Sequence, residues 1–306
     1  MTPVSAEEPE SSALRGATVL ADSADGWAEG GVSACIECHD QDSVLSILET
    51  RHSTTGDHRT PFAKHGCETC HGPGAAHIED EVPPEIRFGR DFPAEPQNGV
   101  CLTCHQGGGR IHWAGSRHES EGLACATCHS VHAASDTLLA KDVRPETFVK
   151  NNQTETCYGC HPQVRAEAYR ISSHPFREGR VDCSDCHNVH GSVTDSMLRQ
   201  ETLNETCYEC HAEKRGPFLW EHQPARDDCS NCHVPHGSNH RTLLEARTPW
   251  LCQSCHDAQF HPGTAATGSG LARSAAPNRN LLLKDCLNCH TEVHGSNHPS
   301  GVRFTR

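Results

Sequence analysis

Apolar positions are thinly spread along this chain, and glycine and proline, 25 and 18 residues in all, punctuate nearly every segment between its cysteine motifs. That pattern predicts short helices and long ordered loops with almost no sheet. Hydrophobic residues make up 35% of the 306 positions and aromatics 5%, both low for a chain of this length. No stretch approaches the apolar length that spans a bilayer, and mean hydropathy is -0.63, so the polypeptide is expected to be soluble on its own. Residues 1–34, rich in Ala, Ser and Glu, lack both a basic start and an apolar stretch. No signal peptide is visible there, and a flexible tail is expected.

Ten Cys-x-x-Cys-His pentapeptides change the picture, because together they use all twenty cysteines. In chain order, motifs 1 to 5 pair Cys35 with Cys38, Cys67 with Cys70, Cys101 with Cys104, Cys125 with Cys128, and Cys157 with Cys160. Motifs 6 to 10 pair Cys183 with Cys186, Cys207 with Cys210, Cys229 with Cys232, Cys252 with Cys255, and Cys286 with Cys289. The histidines that close them are His39, His71, His105, His129, His161, His187, His211, His233, His256 and His290. Two thiols three positions apart can each add to one vinyl group of a haem, and the adjoining imidazole reaches the iron from the same side. One such motif could be half of a zinc knuckle or a redox pair, but structural zinc needs no His directly after the second Cys, and redox pairs do not come in tens. The reading is a c-type cytochrome with ten covalently bound haem c groups and no thiol left for a disulfide or a nucleophile.

Spread over ten haems, 306 residues leave about thirty each, too few for a conventional core around every cofactor, so the haems must form much of the core. The expected fold is a multihaem cytochrome c, mostly irregular with short α-helices, drawn out as an elongated rod along a row of ten haems. Thioether attachment occurs on the oxidising side of a membrane, so the chain is expected to be exported. Net charge is -14 with His neutral, which argues against nucleic acid as a partner and for a solvated acidic surface that steers cationic partners.

Motifs alternate between two contexts, and the repeating unit is a pair. From residue 157 the order is CYGCH, SSHPF, CSDCHNVHG; from 207 it is CYECH, WEHQP, CSNCHVPHG; residues 101–132 give CLTCH, SRHES and CATCHSVH. The expected organisation is a tail over 1–34, a cytochrome domain over 35–300 and a C-terminal tail over 301–306. Five two-haem repeats would fill the domain: 35–100, 101–156, 157–206, 207–251 and 252–300.

Each iron takes two axial ligands, and fifteen histidines remain for ten vacancies. Methionine is nearly excluded, since only Met1 and Met197 exist. The repeat nominates His52, His118, His174, His222 and His261 after the odd motifs, 13, 13, 13, 11 and 5 residues beyond the motif histidine. After the even motifs it nominates His77, His132, His190, His236 and His294, 6, 3, 3, 3 and 4 residues beyond. A histidine three residues on cannot round the porphyrin edge to the other face of the same haem, so it should ligate a neighbour. His58, His65, His112, His240 and His298 share no repeat position and read as surface histidines. Ten bis-His irons would be closed to substrate, which makes electron transfer the expected activity and catalysis unexpected. The alternatives are a multihaem reductase with one open iron, or a subunit of a cytochrome filament. Against them, no Cys-x-x-Cys-Lys occurs and the chain has five histidines to spare.

Over residues 35–300 the sequence resembles the MtrA/DmsE-type decahaem cytochromes. The resemblance rests on the ten motifs, RTPFAKHGCETCHGPG from Arg59 to Gly74, WAGSRH ending at His118, HGSNH at His236 and His294, and CHDAQFHPG around His261. It implies bis-His ligation throughout and a periplasmic location at the outer membrane. It also implies electron passage through a porin-like β-barrel, with a periplasmic or inner-membrane quinol-linked cytochrome at one end and a cell-surface multihaem cytochrome or reductase at the other.

Overall fold

The computed structural model describes residues 26–132, 152–256 and 285–305. The chain forms two compact units, residues 1–156 and 157–306. Both are mostly irregular, with short helices and a single two-stranded sheet among the described residues. Ala94–Leu102, nine residues, is the longest described helix. No helix among the described residues is long and apolar enough to cross a membrane.

Burial explains why helices stay short. Among the described residues only Ile47, Ile86, Trp113, Ala124, Tyr158 and Ala168 form a buried apolar set, whereas ten polar residues are buried, including Glu68, Gln97, Asn98 and Asn204. Such a chain cannot stabilise long elements by side-chain packing, so hydrogen bonds to backbone hold its loops. Gln97 shows the device: fully buried, its amide accepts from the Gly89 N–H and donates to the carbonyls of Gly89, Phe92 and Pro93.

The first unit is tied together at motif 2. The buried Glu68 carboxylate accepts from the Ala28 and Gly74 N–H groups at 2.8 and 2.7 Å. Trp27 stacks on His65 with ring centroids 3.8 Å apart. Residues 26–34, assigned to the tail by sequence, thus make specific contacts with motif 2, and His65 is a stacking partner.

Pairs of motifs are joined by a recurring asparagine. Asn98, three residues before Cys101, accepts from the Cys125 N–H at 2.7 Å and donates to Leu123 O at 3.0 Å. Asn204, three residues before Cys207, repeats this with the Cys229 N–H at 2.7 Å and Arg226 O at 2.9 Å. Both asparagines are buried. Aspartates start the turns of motifs 6, 8 and 10: Asp182 in a capping box, Asp228 through the Ser230 N–H and Asp285 through the Leu287 N–H.

In the second unit, strands β1 (Trp220–Glu221) and β2 (Gly295–Ser296) pair antiparallel, Trp220 opposite Ser296. An isolated bridge joins Ser172 to Ser238 in the same way. The backbones approach closely because glycine follows each even-motif histidine of the HGSNH strings. A Cβ on Gly295, at φ +139°, would lie 2.2 Å from the Phe218 ring, and one on Gly237 would lie 2.0 Å from the Glu167 carbonyl oxygen.

Candidate functional site

Every motif closes the same turn. In all ten, the histidine N–H bonds back to the carbonyl of the first cysteine at 2.9–3.1 Å. This one-turn geometry puts two thiols and an imidazole on one side of the backbone, and all twenty thiols are free of disulfides.

The remaining imidazoles arrive in twos. In the first unit His39 faces His77 with centroids 6.1 Å apart, His52 faces His105 at 6.1 Å, and His71 faces His132 at 6.4 Å. In the second, His174 faces His211 at 6.4 Å, His187 faces His236 at 6.1 Å, His222 faces His256 at 6.0 Å, and His233 faces His294 at 6.1 Å. Each couple joins one motif histidine to one histidine nominated by the repeat. The separation leaves room for one metal bonded to both rings at about 2 Å each, the usual length for a metal–imidazole bond. With the motif cysteines attached to a haem, each couple would supply the two axial ligands and the macrocycle the other four positions.

The couples follow a crossing rule. Histidines after motifs 1, 5 and 7 (His52, His174, His222) meet motifs 3, 7 and 9, two further on. Those after motifs 4, 8 and 10 (His132, His236, His294) meet motifs 2, 6 and 8, two back. His77, after motif 2, meets motif 1. The strand pairings cause this in the second unit. The Ser172–Ser238 bridge carries His174 and His236, and β1–β2 carries His222 and His294, so each pairing positions imidazoles for two consecutive motifs.

Backbone carbonyls orient the rings. Nδ1 of His71, His77, His132, His174, His187 and His233 lies 2.8–3.3 Å from the carbonyl oxygens of Ile86, Val82, Val44, Pro235, Ser196 and Thr242. Nδ1 of His290 meets the Arg303 carbonyl. A carbonyl only accepts, so Nδ1 carries the proton and Nε2 keeps its lone pair for a metal. Burial lowers the pKa of His52, His71, His222, His236 and His294, with the facing imidazole adding to the effect, which keeps the rings neutral as ligation requires.

His118 sits on the Arg117–Ser120 turn capped by Ser116, and the His190 N–H bonds to the Asn188 side chain at 3.3 Å. His129 and His161 close their motif turns like the rest. His161, Glu167 and His236 line a cavity of about 550 Å³ beside Cys160, within the range of small-molecule and cofactor sites. The Trp220 indole N–H, two residues before His222, is buried without an acceptor among the described residues. Carboxylates carried by a cofactor would satisfy it. His261 lies outside the described residues.

First cysteines of paired motifs touch. The thiols of Cys35 and Cys67, Cys101 and Cys125, Cys207 and Cys229, and Cys252 and Cys286 hydrogen-bond each other. Before haem attachment, burial, then the neighbouring thiol, pushes the free thiols of Cys35 and Cys252 up to about 11. Between pairs the second cysteines are near enough to act on each other electrostatically: beyond the effect of burial, Cys104 raises the pKa of Cys70, Cys210 adds to the rise at Cys186, and Cys255 raises that of Cys232. Macrocycles attached at these sulphurs would have neighbouring edges.

These features define a multihaem c-type cytochrome whose function is electron transfer. The doubled CXXCH motif family matches residues 174–216 and 222–261, and the cytochrome c-type NrfB-like family matches residues 67–147. The multiheme cytochrome MtrA of Shewanella baltica is 44% identical over 280 residues, covering 90% of this chain and 81% of that protein. The cytochrome c-type protein NrfB of Escherichia coli is 26% identical over 44% of this chain and 66% of its own length. The C-type polyheme cytochrome OmcB of Geobacter sulfurreducens is 26% identical over 56% of this chain and 27% of its own length. The chain belongs to the MtrA-type multihaem cytochromes and carries covalently bound haem c.

Proposed function

We propose that the chain holds ten haems, each iron closed by two imidazoles, and relays electrons between the periplasm and the cell surface within an outer-membrane porin-like barrel. The observation that carries this reading is the set of seven crossed histidine couples, none of which leaves an iron face for substrate. Within each unit, interactions between thiols of successive motifs support a route from haem to haem, because thioether sulphurs lie on haem edges. In this reading the motif histidines are proximal ligands, and His52, His77, His118, His132, His174, His190, His222, His236, His261 and His294 are distal ones.

A loop-rich, hydrophilic chain cannot face lipid, but a closed barrel satisfies its own backbone groups and would insulate the haem row. Its partners are a periplasmic or inner-membrane quinol-linked cytochrome at one end of the row and a cell-surface multihaem cytochrome or reductase at the other. The test is reconstitution of this cytochrome with its co-purifying barrel in liposomes that enclose a redox dye. An external reductant should bleach the dye only when both proteins are present. Absence of any co-purifying barrel, or bleaching by barrel alone, would sink the proposal.

A further inference from the structure

The couple His187–His236 differs from its siblings in what holds the distal ring. His71, His77, His132, His174, His187 and His233 rest Nδ1 on neutral carbonyls, whereas Nδ1 of His236 faces the Glu167 carboxylate at 3.5 Å. Glu167 is only 17% exposed and belongs to the helix Pro162–Ala168, against whose carbonyl Gly237 packs. Arg170 steadies the arrangement, donating to Gly237 O at 3.0 Å and lying 3.9 Å from the other Glu167 oxygen. Another carboxylate, Glu213, stands 3.9 Å from Nδ1 of His211, beyond hydrogen-bond reach and 61% exposed, so water screens it.

The repeat shows that this is a local substitution. Glu167 lies six residues after His161, and the corresponding residue after His211 is Pro217. Around His294, the counterpart of His236 in the next repeat, the largest charge effect comes from a cation, Lys214, with Glu292 acting more weakly in the opposite sense.

We infer that Glu167 holds the haem between His187 and His236 at a lower reduction potential than its neighbours, by accepting the Nδ1 hydrogen bond of His236. The inference rests on the proposed ligation of that haem. A carboxylate acceptor draws the Nδ1 proton, makes the imidazole a stronger donor and favours ferric iron; a carbonyl does this less. Glu167 is a positioning and tuning residue and does not touch the iron.

The test is spectroelectrochemical titration of the full haem-loaded protein carrying Glu167→Gln, with EPR of the oxidised form. Charge-assisted hydrogen bonds are roughly twice as strong as neutral ones. The expected shift is therefore about tenfold in the ferric-to-ferrous ratio of one haem at fixed potential, about 59 mV upward for one electron, with all irons still low-spin. The shift should vanish when motif 6 is emptied by Cys183→Ala with Cys186→Ala. An unshifted titration in Glu167→Gln, or a shift that survives loss of motif 6, would overturn the role of Glu167. His236→Ala separates the two readings. One new high-spin iron upholds the ligation whatever Glu167 does, and none would remove the ligation and this inference together.

Discussion

Consider the loss of His294. Its ring faces His233 of motif 8 at 6.1 Å and 11° interplanar angle, although His294 follows motif 10 in sequence. His294→Ala should open one iron among the ten motifs, turning about one tenth of the total iron high-spin and water-bound. Which iron opens is decided by emptying motifs. With Cys229→Ala and Cys232→Ala the motif 8 haem cannot attach, and adding His294→Ala should produce no new high-spin iron. With Cys286→Ala and Cys289→Ala the motif 10 haem is gone instead, and His294→Ala should still open one iron of nine. Low-temperature EPR with iron quantified against polypeptide reads both backgrounds. A high-spin iron in the first, or none in the second, would refute the crossing rule and restore a local pairing of His294 with its own motif.

Three further outcomes follow from the packing. Asn204→Ala strands the half-buried Cys229 N–H, a loss of about 1–3 kcal/mol, so hydrogen exchange around motif 8 should quicken by about 5- to 150-fold; unchanged protection would contradict the clamp. Gly295→Ala places a methyl against Phe218 at positive φ and should cost about 1–3 kcal/mol in denaturant unfolding of the haem-loaded protein. Phe218→Ala in the same chain should recover part of that, and full stability of Gly295→Ala alone would count against the close approach. Asp228→Ala removes the cap of the motif 8 turn and should cost about 0.5–2 kcal/mol, with Asp228→Asn nearly neutral; equal losses from both would point to charge rather than capping.

Short-range features were legible in the sequence. The motif states its own turn, because two thiols and an imidazole within five residues permit little else, and the ten His-to-Cys backbone bonds follow. Short helices follow from the Gly and Pro content and the scarcity of apolar residues, as seen in a described core with more polar than apolar members. What sequence spacing could not convey is which imidazole meets which motif. His236 lies three residues after His233 yet faces His187, because the Ser172–Ser238 bridge, a contact between residues 66 apart, sets its direction. Asn98 and Asn204 were also hidden as single residues, although their shared position three before a first cysteine is a signal that repeat comparison could have used. Glu167 breaks the repeat, so only its contact with His236 reveals it.

The central claim, that this cytochrome only carries electrons because every iron is closed, is tested most directly by counting spin states in the purified, fully oxidised protein. Ten low-spin irons per chain with no high-spin signal is the expected result. One high-spin iron in the unaltered protein would contradict it, and would make that haem a place where substrate binds.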